Sequence, residues 1–345
     1  IDLGPREGRP RSGLAGRGQP KQLVAIGTLG DGEVFPGYSW REQRSGRQQL
    51  RRHGVLCQSA IEIQCAVGCP FDCAYCPYAT FLCVRVDVER FAEQAAALAG
   101  ERRGQVLYKL NNRSDTLGLE PELGAAVALV ERFARLEGRY LMLYSKGDGV
   151  DDLIDADHRG HTVASFTLTP PAVAALLEQG APAPARRIAA MGRLHRAGYP
   201  VRIRMSPIVP IRGWREAYAA LIADAAAAAT PDMVTLWTLS MVDADGLEEI
   251  VPRDRLDPDA LAAAEGAVAA MRGCKGAPFP PAYRLAIYRE VAAMARAAWP
   301  DTELSLCLET PEVWDALGAE MVPRCGAAGF RCNCGPRSRP LSRRS

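Results

Sequence analysis

Lysine is scarce in this 345-residue chain: four residues, against 38 arginines. Net charge is scarcer still, at +2 from 42 basic and 40 acidic side chains. A balance that close gives no global pull toward nucleic acid, which is therefore not a favoured partner. No apolar run approaches the roughly 20 residues that a membrane-crossing helix needs, so no membrane partner is expected. No signal-peptide pattern is visible either. With 11 cysteines, that argues against a secreted disulfide framework and for a reducing cytoplasm.

Three of the cysteines stand in one short run, Cys69-Pro-Phe-Asp-Cys73-Ala-Tyr-Cys76. The spacing is C-x3-C-x2-C, directly after the strand-like stretch 59–65. Three thiolates on one tight loop can hold three irons of a [4Fe–4S] cluster and leave the fourth iron open. The competing reading is structural zinc with Cys65 as fourth ligand. Zinc sites usually pair two C-x2-C knuckles, and only Cys73 and Cys76 have that spacing.

Hydrophobic residues make up 48% of the chain, enough for one large core with a small appendage. Strands are expected over 59–65, 105–111, 140–146, 163–169, 201–208, 233–240 and 303–309. Helices are expected over 88–100, 121–137, 170–179, 183–197, 213–229, 256–272, 281–298 and 311–318. Thr169 before Pro170 and Thr310 before Pro311 read as N-caps, and Gly180 and Gly198 as helix stops. This alternation implies an α/β fold with a parallel sheet. With six or so units, it points to a partial, open (βα)6 barrel of TIM type. The expected division is an N-terminal extension over 1–50 with a disordered first part, a barrel over 51–318, and a cysteine-containing extension over 319–345. The arginine-rich end of the chain, from Gly335, reads as a solvated tail, with contact to phosphates as the alternative.

Side chains alternate across a strand. Stretch 201–206 therefore sets Arg202, Arg204 and Ser206 on one face, against Val201, Ile203 and Met205 on the other. Stretches 163–169, 303–309 and 59–65 show the same split, which implies a polar lumen inside the apolar outer faces. Unpaired in that lumen, Arg202 and Arg204 would each cost several kcal/mol, on the order of an uncompensated buried ion. Either Glu62 and Glu309 pair with them, or an anionic ligand does.

The cysteine loop resembles that of the radical S-adenosylmethionine (SAM) enzymes. From about residue 55 to 318 the chain resembles their spore photoproduct lyase-like branch. Besides the loop, the resemblance rests on Asn112-Arg-Ser-Asp-Thr-Leu-Gly-Leu119, Tyr144-Ser-Lys-Gly-Asp-Gly-Val-Asp-Asp-Leu-Ile154 leading into His161-Thr-Val-Ala-Ser-Phe-Thr-Leu168, Met205-Ser-Pro-Ile-Val-Pro-Ile-Arg-Gly-Trp214 and Leu306-Cys-Leu-Glu-Thr-Pro-Glu-Val-Trp314. It implies that Cys69, Cys73 and Cys76 hold a [4Fe–4S] cluster and that its open iron chelates SAM. One electron, from a donor such as flavodoxin or ferredoxin, then yields a 5′-deoxyadenosyl radical. Tyr75 is similar to the aromatic that flanks the adenine, and Ser114, Lys146 and Thr167 to the polar contacts to SAM. One departure stands out. The repair lyases carry a hydrogen-donating cysteine shortly before the Ser-Asp pair, and here that place reads Asn111-Asn112. Cys307 is a candidate substitute donor, or simply a small core residue.

These expectations favour a radical SAM enzyme acting on a small-molecule or nucleoside-type substrate near Arg202 and Arg204. The rivals are a DNA thymine photoproduct lyase with another hydrogen donor, and a non-catalytic metal- or nucleic-acid-binding protein of the same fold. Cys325, Cys332 and Cys334 form a second group, C-x6-C-x-C, able to hold a second iron–sulfur cluster or zinc with Cys274 or another thiol. Cys57 and Cys83 belong to no motif and read as structural.

Overall fold

The computed structural model describes residues 22–27, 40–42, 46–58, 61–78, 81–101, 104–318 and 331–340. Its main sheet contains seven parallel strands in sequence order: β1 Ile61–Ile63, β2 Leu107–Leu110, β3 Tyr140–Ser145, β4 Thr162–Thr167, β5 Val201–Ile208, β6 Met233–Thr238 and β7 Glu303–Leu306. Trp40–Glu42 adds an antiparallel edge beside β1. Helices cross over between successive strands, as parallel pairing requires. The architecture is the expected partial barrel, with seven strands joined by six crossovers. At the seam between first and last strands, Leu56 and Glu309 form a single antiparallel bridge.

The alternation holds across the sheet. Ile61, Tyr108, Leu143, Phe166, Ile203, Leu236 and Leu304 point outward into one apolar core with the helices. Each large apolar side chain buried there is worth about 1.5–3 kcal/mol. The register places Glu62 beside Lys109, Tyr144 beside Ser165, and Arg204 between Thr167 and Thr235 on the opposite, inner face. Because those inner positions are polar, the lumen cannot be sealed by apolar packing alone.

Most helix boundaries agree with the sequence to within a few residues, and the differences have local causes. Thr310 caps Pro311–Ala316, its Oγ1 accepting from Val313 N at 3.4 Å. Thr169 does not cap its helix: two prolines come next, helix Pro171–Leu177 starts after Pro170, and Thr169 Oγ1 donates to Glu178 instead. Gly198 does stop helix Pro184–Arg196. At φ 97° it lets its own N–H reach His195 O and that of Tyr199 reach Leu194 O. The expected helix 256–272 is broken into Pro258–Glu265 and Val268–Met271 around Gly266. An additional helix forms over Ala244–Ile250.

The far end of the chain was expected to be solvated, but residues 331–340 fill the amino-terminal mouth of the barrel. Val106 N donates to Pro336 O at 2.7 Å, Ser305 Oγ to Arg331 O at 3.1 Å, and Asn333 Nδ2 to Ser165 Oγ at 3.1 Å. Cys334 packs on Leu107, Met142 and Val163, the inward residues at the starts of three strands. The polar termini of the strands thus gain partners from a Gly/Pro segment that carries many backbone acceptors of its own.

Candidate functional site

The cysteine loop leaves β1 at its carboxyl end, the side of a βα barrel where sites are built. Its base is pinned by antiparallel pairing of Ala66–Gly68 with Phe81–Arg85, to which Gln22–Gly27 adds in parallel. Its tip, Asp72–Cys73, pairs with Glu178–Gln179 beyond β4. That second anchor lays the loop across the ends of the neighbouring strands. Asn111, at φ 52°, clamps the loop's start, its Oδ1 accepting from Cys65 N at 3.0 Å and Ala66 N at 3.2 Å.

Asp115 organises the next layer. Its carboxylate accepts from Lys146 N at 2.6 Å, Gly118 N at 2.8 Å, Gly147 N at 3.2 Å and the Ser145 hydroxyl. The backbones meet so closely that a Cβ on Gly147 would lie 2.2 Å from Gly118 N. Two of the stretches noted in the sequence are therefore one interlocked unit, and its product is a fixed Lys146. The Lys146 ammonium lies 5.5 Å from the centre of the Tyr75 ring, inside the cysteine loop.

A buried acid–base cluster sits behind the loop. Glu178 pairs with Arg187 at 2.6 Å, accepts from Thr169 Oγ1 at 2.9 Å, and accepts the Tyr75 hydroxyl. Burial alone would raise Glu178, but the Lys146 and Arg187 charges and the Tyr75 bond hold it below the usual carboxylate value. Burial alone would likewise lower Lys146, and the neighbouring Cys73 and Glu178 outweigh that and keep the ammonium protonated. Burial pushes the Cys73 thiol up to about 12, with Lys146 opposing. Burial and then Asp115 raise Cys69 well above the ordinary thiol. Binding a cation there would displace those protons.

Arg204 is the other unusual cation. It is only 7% exposed, yet among the described residues it has no carboxylate partner. Its guanidinium stacks 3.9 Å from the Tyr144 ring centre and donates to Thr167 Oγ1 at 3.3 Å and Ser206 Oγ at 3.2 Å. Two further polar atoms near this mouth, Ser114 Oγ and Arg187 Nη2, are buried with no hydrogen-bond partner. Native interiors rarely leave such atoms orphaned unless something else satisfies them.

Cys69, Cys73, Cys76, Tyr75, Lys146, Ser114, Thr167 and Arg204 therefore sit at the ends of β1 to β5. Arg202 does not join them. It faces the lumen as expected, but its guanidinium binds Asp232 twice, at 2.8 and 3.2 Å, and the carbonyls of Asn333 at 2.5 Å and Arg339 at 3.0 Å. Glu62 and Glu309 are not the partners of the two arginines either. Glu62 lies 3.9 Å from Lys109 and 3.7 Å from Arg113, and Glu309 holds Arg284 at 2.6 Å. Cys65 points into the core, 3.3 Å from Asn111 Oδ1, away from the other loop thiols' mouth. Among the described residues no group of three or more Cys, His, Asp or Glu side chains, the loop thiols included, is already set to hold a metal ion. Cys307 lies near Cys332 of the carboxy-terminal segment, Cys274 is exposed, and Cys325 falls outside the described residues. Sequence reasoning missed Asp115, Glu178 and Arg187. Asp115 stood next to Ser114 in a noted stretch, whereas Glu178 and Arg187 had no local signal.

A family model described as spore photoproduct lyase matches residues 52–244. Curated spore photoproduct lyases of Bacillus subtilis (strain 168) and Geobacillus sp. (strain Y412MC61) are 29% and 26% identical over 179 residues, 50% of this chain and 52% of each relative. The chain thus spans about half the length of the curated relatives it matches. A solved spore photoproduct lyase carrying two substitutions, with bound AdoMet and dinucleoside spore photoproduct, shares the fold. Its TM-score is 0.58 at 20% identity, over 72% of this chain and 76% of that one. Another, complexed with dinucleoside spore photoproduct, gives 0.56 at 20% identity over 70% and 74%. With more than half its length matched by the family model, the chain belongs to the spore photoproduct lyase family.

Proposed function

We propose that this chain is a radical SAM enzyme acting on a nucleoside-type substrate at the carboxyl mouth of the barrel. The observation that carries the reading is the cysteine loop laid over Lys146 and the Glu178–Arg187 pair, with unsatisfied buried donors around it. The donor set suits a [4Fe–4S] cluster on Cys69, Cys73 and Cys76, because three thiols bound to three different irons need not converge on one point. When bound, the cluster and SAM supply reductive cleavage of the sulfonium and a 5′-deoxyadenosyl radical.

The chain's own residues then have distinct tasks. Lys146, fixed through Asp115, presents a compact cation to the SAM carboxylate. Ser114 Oγ and Thr167 Oγ1 offer further polar contacts. Tyr75 lines the loop, and Glu178 holds its hydroxyl. Arg204 faces an anionic group of the substrate from deeper in the lumen. The unit that carries this chemistry is residues 51–318, and an external one-electron donor such as flavodoxin or ferredoxin serves it.

Two solved structures of spore photoproduct lyase hold dinucleoside spore photoproduct, and this supports a nucleoside-type substrate. Asn111 argues against repair of that photoproduct as the main reaction. Its amide clamps residues 65 and 66 and offers no weakly bound hydrogen to a carbon radical. Photoproduct repair remains the second reading, favoured by the family match. To separate them, reconstituted enzyme, SAM and reductant are incubated with dinucleoside spore photoproduct and, separately, with a nucleoside and nucleotide panel, and products are read by mass spectrometry. Turnover in the panel supports the first reading. Catalytic recovery of two thymines establishes the second, and 5′-deoxyadenosine formation with no substrate-dependent increase in either arm rejects both.

A further inference from the structure

A second group of cysteines assembles at the barrel seam, from both ends of the described chain. The Leu56–Glu309 bridge lays Cys57 beside the turn that contains Cys307. The Ser305 Oγ bond to Arg331 O, at 3.1 Å, brings the carboxy-terminal segment against the same turn. Cys332 Sγ donates to Gln58 Oε1 at 3.3 Å, next to Cys57. A tight turn, Gly335 N to Cys332 O at 3.2 Å, folds Cys334 back onto this group. A Cβ on Gly335 would lie 1.8 Å from Gln58 Oε1 and 3.3 Å from Cys332 Sγ, so a larger residue there would turn the Gln58 amide away from Cys332. Cys332 is in hydrogen-bond contact with Cys334 and lies near Cys57 and Cys307. None of the four is in a disulfide.

We propose that Cys57, Cys307, Cys332 and Cys334 bind a second iron–sulfur cluster that ties the carboxy-terminal segment to the barrel seam. Four cysteines are the usual complement for such a cluster. Among the described residues no group of three or more Cys, His, Asp or Glu side chains is already set to hold a metal ion, at this seam or at the Cys69 loop, so in both places the thiols would have to draw together as the cluster binds. The set differs from the one read from spacing: Cys57 and Cys307 replace Cys274 and Cys325. The site uses none of the residues placed at the carboxyl mouth, so it does not depend on the function proposed for that mouth.

The full chain carrying Cys69→Ala, Cys73→Ala and Cys76→Ala is reconstituted anaerobically, then assayed for iron, acid-labile sulfide and electron paramagnetic resonance after reduction. Between about a third and a half of the wild-type iron should remain, with matching sulfide, for a second cluster of two to four irons. Adding Cys332→Ser should remove it, whereas adding Cys325→Ala should not. Iron-free protein, or zinc alone, overturns the proposal. So does iron that survives Cys57→Ala and Cys307→Ser but is lost with Cys325→Ala. If the triple variant does not fold, Cys332→Ser in the wild-type loop decides the matter. It should lose only the second cluster's share of iron and sulfide, and unchanged iron overturns the proposal.

Discussion

Arg202 and Arg204 lie two residues apart on the same face of one strand, yet belong to opposite ends of the barrel. Arg202 is fully buried, and its guanidinium is saturated by Asp232 and the carboxy-terminal segment. Arg204 is nearly as buried but keeps only two hydroxyls and the Tyr144 ring. The difference lies in what covers each mouth. At the amino end, residues 331–340 bring carbonyls and a serine to the Arg202 donors. At the carboxyl end a cysteine loop roofs the lumen and leaves donors unpaired. Neither mouth is fully satisfied: Asn333 Oδ1 is left without a partner at the amino end, and Ser114 Oγ and Arg187 Nη2 at the carboxyl end. The difference is that the amino end has its buried arginine paired by its own chain, and the carboxyl end does not.

That contrast breaks first at Arg202. Arg202→Met leaves Asp232 buried beside an apolar side chain and strips the carboxy-terminal segment of its main anchor. The expected loss is about 3–5 kcal/mol, the usual cost of removing one partner from a buried pair. Urea denaturation of the two proteins checks it. A change below about 1 kcal/mol would mean that the amino mouth is held by other contacts.

Arg204→Met should behave in the opposite way. With no ion pair to break and a buried, unpaired charge removed, its stability should be unchanged or higher. Ligand or substrate affinity at the carboxyl mouth should fall roughly 10- to 100-fold, the worth of charge-assisted hydrogen bonds. Equilibrium binding and KM measurements check it. A variant that is destabilised but binds normally would move Arg204 into the same structural class as Arg202.

The narrowest effect, confined to one pH window, concerns the support beneath the mouth. Burial raises Glu120 from 4.5 to about 7, although its carboxylate accepts from Ala126 N at 3.0 Å. An acid with a raised folded pKa favours the fold while protonated. The stability it contributes is therefore full below about pH 4.5 and is lost as pH rises through about 7. Glu120→Gln should flatten stability over that window, by up to about 3 kcal/mol, and leave the amino mouth untouched. Urea midpoints between those limits test it, and an unchanged slope would refute the assignment.

The sequence made the periodic parts of this molecule legible. Alternation in 201–206 correctly set both arginines inside the barrel, and the outer faces read as a core because Ile, Leu and Val recur every second residue. It could not tell Arg202 from Arg204, because the deciding partners come from 232 and 331–340, with no local trace. The same holds for Glu178 and Arg187, which lie in stretches that read as ordinary helix and meet only when Glu178–Gln179 pairs with the loop. Spacing exposed the loop of Cys69, Cys73 and Cys76. The grouping of Cys57 with Cys307, Cys332 and Cys334 depends on how the chain ends return to the seam, which spacing cannot report.

The central claim is that the carboxyl mouth is the reactive one. Its most direct test is 5′-deoxyadenosine formation from SAM by the anaerobically reconstituted chain with a strong reductant, for wild type, Cys69→Ala, Cys73→Ala, Cys76→Ala and Arg202→Met below its unfolding temperature. The wild type and Arg202→Met should both form it, and each cysteine variant should fall to the no-enzyme background. Formation undiminished by loss of any one of the three cysteines, or absent from the cluster-loaded wild type, would contradict the account.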